Sequence, residues 1–186
     1  MNGYFEKLPL TFDVAPLLAE LDSAPWVWNR RRERREFPDS PHRDVDDIWL
    51  RFHPAGLPRT VQEPFFSVWY PESEALSDAK RICSDVIHFV RATYLGGILI
   101  TRIPPGKRVF SHHDRGPWHA GFHETKVYVA LKSNEDCTNL FGPIGVEESF
   151  TMAAGEVWQF NNQVFHQCLN DGGSDRISLI ISMSCR

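Results

Sequence analysis

The chain has 186 residues, of which 42% are hydrophobic and 12% aromatic, enough for one domain with a substantial core. Its net charge of -4 provides no overall field for nucleic acid. It also lacks an apolar run of roughly 18 residues and a charged-then-apolar leader at its start, so the expectation is a soluble, cytoplasmic protein with no membrane partner.

Residues Phe5 to Phe12 read as a strand, and a short amphipathic helix follows, capped by Asp13, with Leu17, Leu18 and Leu21 on one face. Trp26-Val27-Trp28 reads as a buried strand or turn. Arg30 to Arg35 holds five arginines and one glutamate. With net negative charge elsewhere, this cluster reads as a solvated loop. A nucleic-acid patch, or one or two arginines holding an anionic part of a substrate, are the other readings. His42-Arg43-Asp44 follows the turn-rich Pro38-Asp39-Ser40-Pro41 and reads as surface loop. Ile48 to Phe52 and Phe65 to Tyr70 read as strands. Glu72 to Tyr94 has helical spacing, with Ala75, Leu76, Ala79, Ile82, Cys83, Val86, Ile87, Phe89 and Val90 on one broad apolar face, and Gly96-Gly97 as the stop. His88 in that helix reads as packed or surface-facing.

From Gly97 onward the pattern is strands only: 97–103, 107–112, 126–132, 139–141, 149–152, 156–160, 165–169 and 176–183. Eight short strands separated by Gly, Pro and Asn turns predict a mainly β protein, a double-stranded β-helix of the jelly-roll, cupin-like kind. Residues 1–96 would then support a core formed by 97–186, the whole making one domain. The four cysteines, Cys83, Cys137, Cys168 and Cys185, form no C-x-x-C pair and read as free thiols.

The chemistry concentrates in Ser111-His112-His113-Asp114-Arg115-Gly116. Side chains two apart on a strand share a face, so His112 and Asp114 can grip one metal ion while His113 points away. A third ligand would complete a two-histidine, one-carboxylate triad, which binds Fe(II) and leaves positions open for substrate and oxygen. His166, entering a strand after the polar turn Asn161-Asn162-Gln163, is the candidate. Ten residues later, alternation places Arg176 and Ser178 on one face, opposite Ile177 and Leu179. An arginine facing a barrel interior is costly unless an anion meets it, and the carboxylate of a chelating cosubstrate is such an anion.

The order His-x-Asp, Gly155-Glu156-Val157-Trp158, His166 and Arg176-x-Ser178, with Pro105-Gly106 ahead, resembles the Fe(II)/2-oxoglutarate-dependent oxygenases over residues 97–184. Within them it is most similar to the aspartyl/asparaginyl β-hydroxylase branch. The resemblance implies that His112, Asp114 and His166 bind Fe(II), and that Arg176, with Ser178, holds the distal carboxylate of 2-oxoglutarate. Lys126 and Tyr128, alternating inward on their strand, would also touch the cosubstrate. The implied activity is a dioxygenase that hydroxylates an amino-acid or peptidyl side chain and releases succinate and CO2. A carboxylate at position 114 argues against halogenation, which needs that position for chloride. His113, Arg51 and Trp118, the last within an aromatic stretch 115–124 that reads as a lid, are candidate substrate contacts. His119 and His123 in that stretch read as lid or surface histidines. The alternative is a metal-binding cupin that only senses or binds. It would keep the triad and have no use for an inward Arg176.

Overall fold

The computed structural model describes residues 3–54, 66–114 and 125–185. Within them lie strands β1 (Phe5–Thr11), β2 (Asp46–Phe52), β3 (Val68–Trp69), β4 (Tyr94–Ile103), β5 (Lys107–His112), β6 (Thr125–Lys132), β7 (Cys137–Phe141), β8 (Glu148–Phe150), β9 (Glu156–Phe160), β10 (His166–Asn170) and β11 (Arg176–Ser184). Helices α1 (Ala15–Ser23), α2 (Glu33–Glu36) and α3 (Ser77–Val90) complete the description. The strands make two antiparallel sheets, one ordered β1-β9-β6-β11-β4-β2-β3 and the other β5-β10-β7-β8. This is the mainly β, jelly-roll architecture expected from the spacing of the short strands.

The larger sheet has two chemically distinct faces. Its outer face carries Ile48 and Leu50, Ile98 and Ile100, Val127, Val129 and Leu131, and Ile177, Leu179, Ile181 and Met183. Against it pack Leu17 and Leu21 of α1 and Ala79, Ile82, Cys83 and Val86 of α3, all buried at helical spacing. The inner face mixes polar side chains with Ile103 and Ile180. Arg176, Ser178, Tyr128, Lys126 and Thr101 alternate with the apolar set and look toward the smaller sheet. All nine residues of β11 are buried, because each face of that strand is covered.

Several local expectations shift. Residues 25–27 form a single 3-10 turn in which Val27 is buried and Trp26 is 55% exposed. α3 ends at Arg91, which adopts φ 55° and donates its backbone N–H to His88 O; Gly96 and Gly97 belong to β4. Phe89 on that helix is exposed. The strand expected at 65–70 reduces to Val68–Trp69, and Phe65 lies outside the described residues. Cys83, Cys137 and Cys168 are buried free thiols, and Cys185 is an exposed one.

Candidate metal centre

The cavity between the sheets is positioned by register. β10 pairs with β5 so that His166 stands opposite His112, and their ring centroids are 4.3 Å apart. Asp114 follows the end of β5, and its backbone N–H donates to Asn162 O at 2.8 Å. One ligand atom from each of His112, Asp114 and His166 lies within 4.8 Å of the others. Each imidazole has its Nδ1 against a main-chain carbonyl two residues back, Phe110 O at 2.8 Å and Val164 O at 3.0 Å. A proton on Nδ1 leaves Nε2 as a lone-pair donor, the tautomer a metal ligand needs.

Burial keeps both rings neutral: it lowers the His112 pKa to about 3 and that of His166 below the ordinary histidine value. Burial alone would raise Asp114. The Lys126 ammonium, aided by His166 and His112, overrides this and holds the carboxyl well below the usual range. The donor set is therefore two neutral imidazoles and one carboxylate, partly withdrawn from water, which fits a divalent iron.

Arg176 is 4% exposed. Its Nη1 meets Cys168 Sγ at 2.6 Å and its Nη2 donates to Asn139 Oδ1 at 2.8 Å. Among the described residues no carboxylate pairs with it. Ser178, two residues on and on the same face, has a buried hydroxyl without a hydrogen-bond partner. A buried cation and an orphaned hydroxyl side by side both call for an anionic acceptor. Burial pushes the Cys168 thiol up to about 11, so it touches the guanidinium as a neutral thiol, and it raises the Tyr128 phenol as well.

The remaining candidates divide. Tyr128 and Lys126 both line the cavity, and the Lys126 ammonium bonds to Asp114 Oδ2. Arg51 does not line the cavity; its Nε donates to Leu95 O at 3.3 Å and its guanidinium lies near the Trp69 ring. His113 is exposed and packs against Phe165 outside the cavity. Trp118, His119 and His123 lie outside the described residues.

Two lining residues come from segments expected at the surface. His42 is buried, edge-on to His112 at 4.7 Å between centroids, with Nδ1 unpartnered. Arg34 also reaches the cavity, its Nη1 2.8 Å from both oxygens of Asp47. The rest of the arginine cluster is engaged within the chain: Arg35 with Asp46, Arg32 with Glu36, Arg30 with Glu72, and Arg31 over the Tyr70 ring. No local pattern marks His42 or Arg34. The His-x-Asp at 42 looks the same as the one at 112; the bond from Phe110 N–H to Pro41 O and the Arg43 guanidinium over the Phe110 ring tie its turn to β5 and bring it inward.

A family model described as Aspartyl/Asparaginyl beta-hydroxylase matches residues 66–185. No curated protein matches the sequence. Among solved structures, the chain is similar to a 2OG-Fe(II) oxygenase family oxidoreductase from Burkholderia pseudomallei, with TM-score 0.62 and 21% identity over 98% of this chain and 84% of that one. It is similar to a prolyl-4-hydroxylase from Pseudomonas putida, with TM-score 0.54 and 15% identity over 100% and 94%. A prolyl hydroxylase from Trichoplax adhaerens, in complex with a hypoxia inducible factor oxygen degradation domain peptide fragment, gives TM-score 0.68 and 12% identity over 98% and 84%. At such identities these are likenesses of fold.

Proposed function

The chain belongs to the aspartyl/asparaginyl beta-hydroxylase family, and on that premise we propose that it is an Fe(II)- and 2-oxoglutarate-dependent dioxygenase. Its proposed substrate is an amino-acid or peptidyl side chain. The observation that carries the reading is the buried Arg176 guanidinium beside the unpartnered Ser178 hydroxyl, in the same cavity as the His112, Asp114 and His166 cluster. A binding-only cupin has no use for an inward cation with no anion. The peptide held by the Trichoplax prolyl hydroxylase makes a peptidyl substrate a reasonable class to test first.

His112, Asp114 and His166 would hold the iron and occupy one face of it. Arg176 and Ser178 would grip the distal carboxylate of 2-oxoglutarate with charge-assisted bonds, fixing the direction in which its oxo-acid end points. Bound iron and cosubstrate would supply, with oxygen, the oxidising power to hydroxylate an unactivated C–H bond, releasing succinate and CO2. The chain's own contribution is orientation and dryness. Ile103, Val109, Phe141 and Ile180 line the cavity with apolar surface that excludes water around the polar groups. His42 and Arg34 furnish the polar wall contributed by the first half of the chain.

The test is succinate formation from 2-oxoglutarate in the iron-loaded protein, alone and with a panel of free amino acids and peptides. Stimulated release is expected with at least one of them. Full metal loading with no succinate under any condition would favour the binding-only cupin.

A further inference from the structure

The two oxygens of Asp114 have different surroundings. Oδ1 faces His112 Nε2 at 3.7 Å, on the side where the ligand atoms converge. Among the described residues Oδ2 receives two donors: the Lys126 ammonium, and Asn162 Nδ2 at 3.3 Å. Asn162 is fully buried, and its own carbonyl accepts the Asp114 backbone N–H at 2.8 Å, so one residue holds this aspartate at both its main chain and its side chain. The register of the larger sheet explains why these two donors meet. Lys126 on β6 stands opposite Phe160 on β9, and Asn162 comes two residues after that point, where the chain leaves the strand. The turn is tied down by Asn161 N–H to Tyr4 O at 2.8 Å and by Gln163 N–H to Asn161 Oδ1 at 3.0 Å.

A carboxylate can take one position on a metal or two. For Asp114 to chelate through both oxygens, Oδ2 would have to leave a half-buried ammonium and a buried amide, stranding both donors. We propose that Lys126 and Asn162 are positioning residues that clamp Asp114 Oδ2, restricting the aspartate to a single metal bond through Oδ1. This inference rests on the metal-centre reading above. Its consequence is coordinative: two imidazoles and one oxygen fill three positions, leaving three for a bidentate oxo acid and oxygen. A chelating Asp114 would fill one of those three. The assignment gives Lys126 a task distinct from holding the cosubstrate, and gives Asn162 a task in a turn that otherwise reads as a connector.

The experiment uses Co(II) as the probe in the full chain. Its affinity is followed by titration and its surroundings by the visible d–d spectrum, whose band energies and intensities shift when a second carboxylate oxygen replaces a water. Asn162→Leu and Lys126→Met each remove one donor at nearly constant volume, and circular dichroism verifies the fold of each. Both variants are expected to show a d–d spectrum distinct from the parent's, as Asp114 swings to use both oxygens. Asn162→Leu is expected to bind Co(II) roughly 10-fold or more weakly, the usual scale for losing a group that orients a ligand. Lys126→Arg, which restores a cation with donors, is expected to recover the parent spectrum, a rescue that a packing role would not give. If one variant does not fold, the other decides. Parent-like spectra in the folded variants would overturn the clamp. Failure of the parent chain to take up Co(II), or uptake that survives His166→Ala, would remove the metal centre itself and the clamp with it, and is read separately from the variants.

Discussion

At the scale of single residues, the cavity is a set of buried groups whose demands are met by one another or by a ligand. Arg176 is the sharpest case. Replacing it with Met should remove charge-assisted bonds to 2-oxoglutarate worth about 3 kcal/mol, on the order of a 100-fold rise in the cosubstrate KM. Metal affinity should change by no more than a few-fold, since Arg176 is not one of the ligand cluster. An unchanged KM would mean that the guanidinium serves Asn139 and Cys168 alone. Three histidines of the cavity, His42 and His166 buried and His112 half-buried, set a pH response in the metal-free protein. His42, His112 and His166 all have folded pKa values below 6.5, with burial as the first cause. As pH falls below 6.5 the unfolded chain takes up these protons and the folded chain does not, so stability is full above that value and declines towards His112's value of about 3. Each histidine contributes up to about 1.4 kcal/mol per pH unit in its window. Asp114, with a lowered pKa, responds only below the ordinary carboxylate range, on the acid side of this test. Thermal melts of the stripped protein should therefore drop from pH 7.5 to pH 5, with a shallower drop in His42→Phe. A flat profile would contradict the burial of neutral rings.

At the scale of elements, strand alternation made much of the centre legible in the sequence, because a two-residue spacing translates directly into a shared face. It accounts for Arg176 with Ser178, both on β11; Asp114 joins His112 from two residues past the end of β5, held by its backbone bond to Asn162 O. The Gly-Glu-x-Trp stretch was legible as a signature but not as a cause. Gly155 has φ 84°, and a methyl added there would lie 2.5 Å from Phe12 O. Its N–H donates to Ala130 O at 2.7 Å, and Phe12 N–H donates to Gly155 O at 3.0 Å. Glu156 accepts from Trp158 Nε1 at 3.0 Å and from Ala153 N–H at 3.1 Å. The motif thus locks the turn into β9, and β9 delivers Asn162 to the metal centre. Gly155→Ala should cost about 2–4 kcal/mol, from backbone strain plus the close contact, measured by denaturant unfolding. A neutral result would mean that the turn relaxes freely. What stayed illegible was long-range. Gly96-Gly97 signals a stop locally, yet the α3 terminus is set by a left-handed Arg91, and pairing with β2 and β11 draws the glycines' segment into β4. Arg51 sits between Leu50 and Phe52, and Arg34 in a charged run, the context that marks a surface residue, yet the fold puts Arg34 in the cavity and Arg51 at Trp69.

At the scale of the whole molecule, the segment matched by the family model omits β1, α1 and β2. These contribute Leu8, Leu17, Leu21, Ile48 and Leu50 to the main core, and the same stretch of chain sends Arg34 and His42 into the cavity. At about 1.5–3 kcal/mol per buried aliphatic side chain, those five are comparable to the net stability of a typical domain. Residues 66–186 expressed alone should lack a cooperative thermal transition and near-ultraviolet dichroism. A sharp melt near that of the full chain would show that the first half is dispensable. Finally, β11 runs between β6 and β4 with every residue enclosed, and it carries Arg176, the proposed cosubstrate anchor, on one side and helix-packed aliphatics on the other. Its amide protons should therefore be among the slowest in the protein to exchange with deuterium. The proposed anchor, stationed on a strand enclosed on both faces, would give the dicarboxylate a fixed berth.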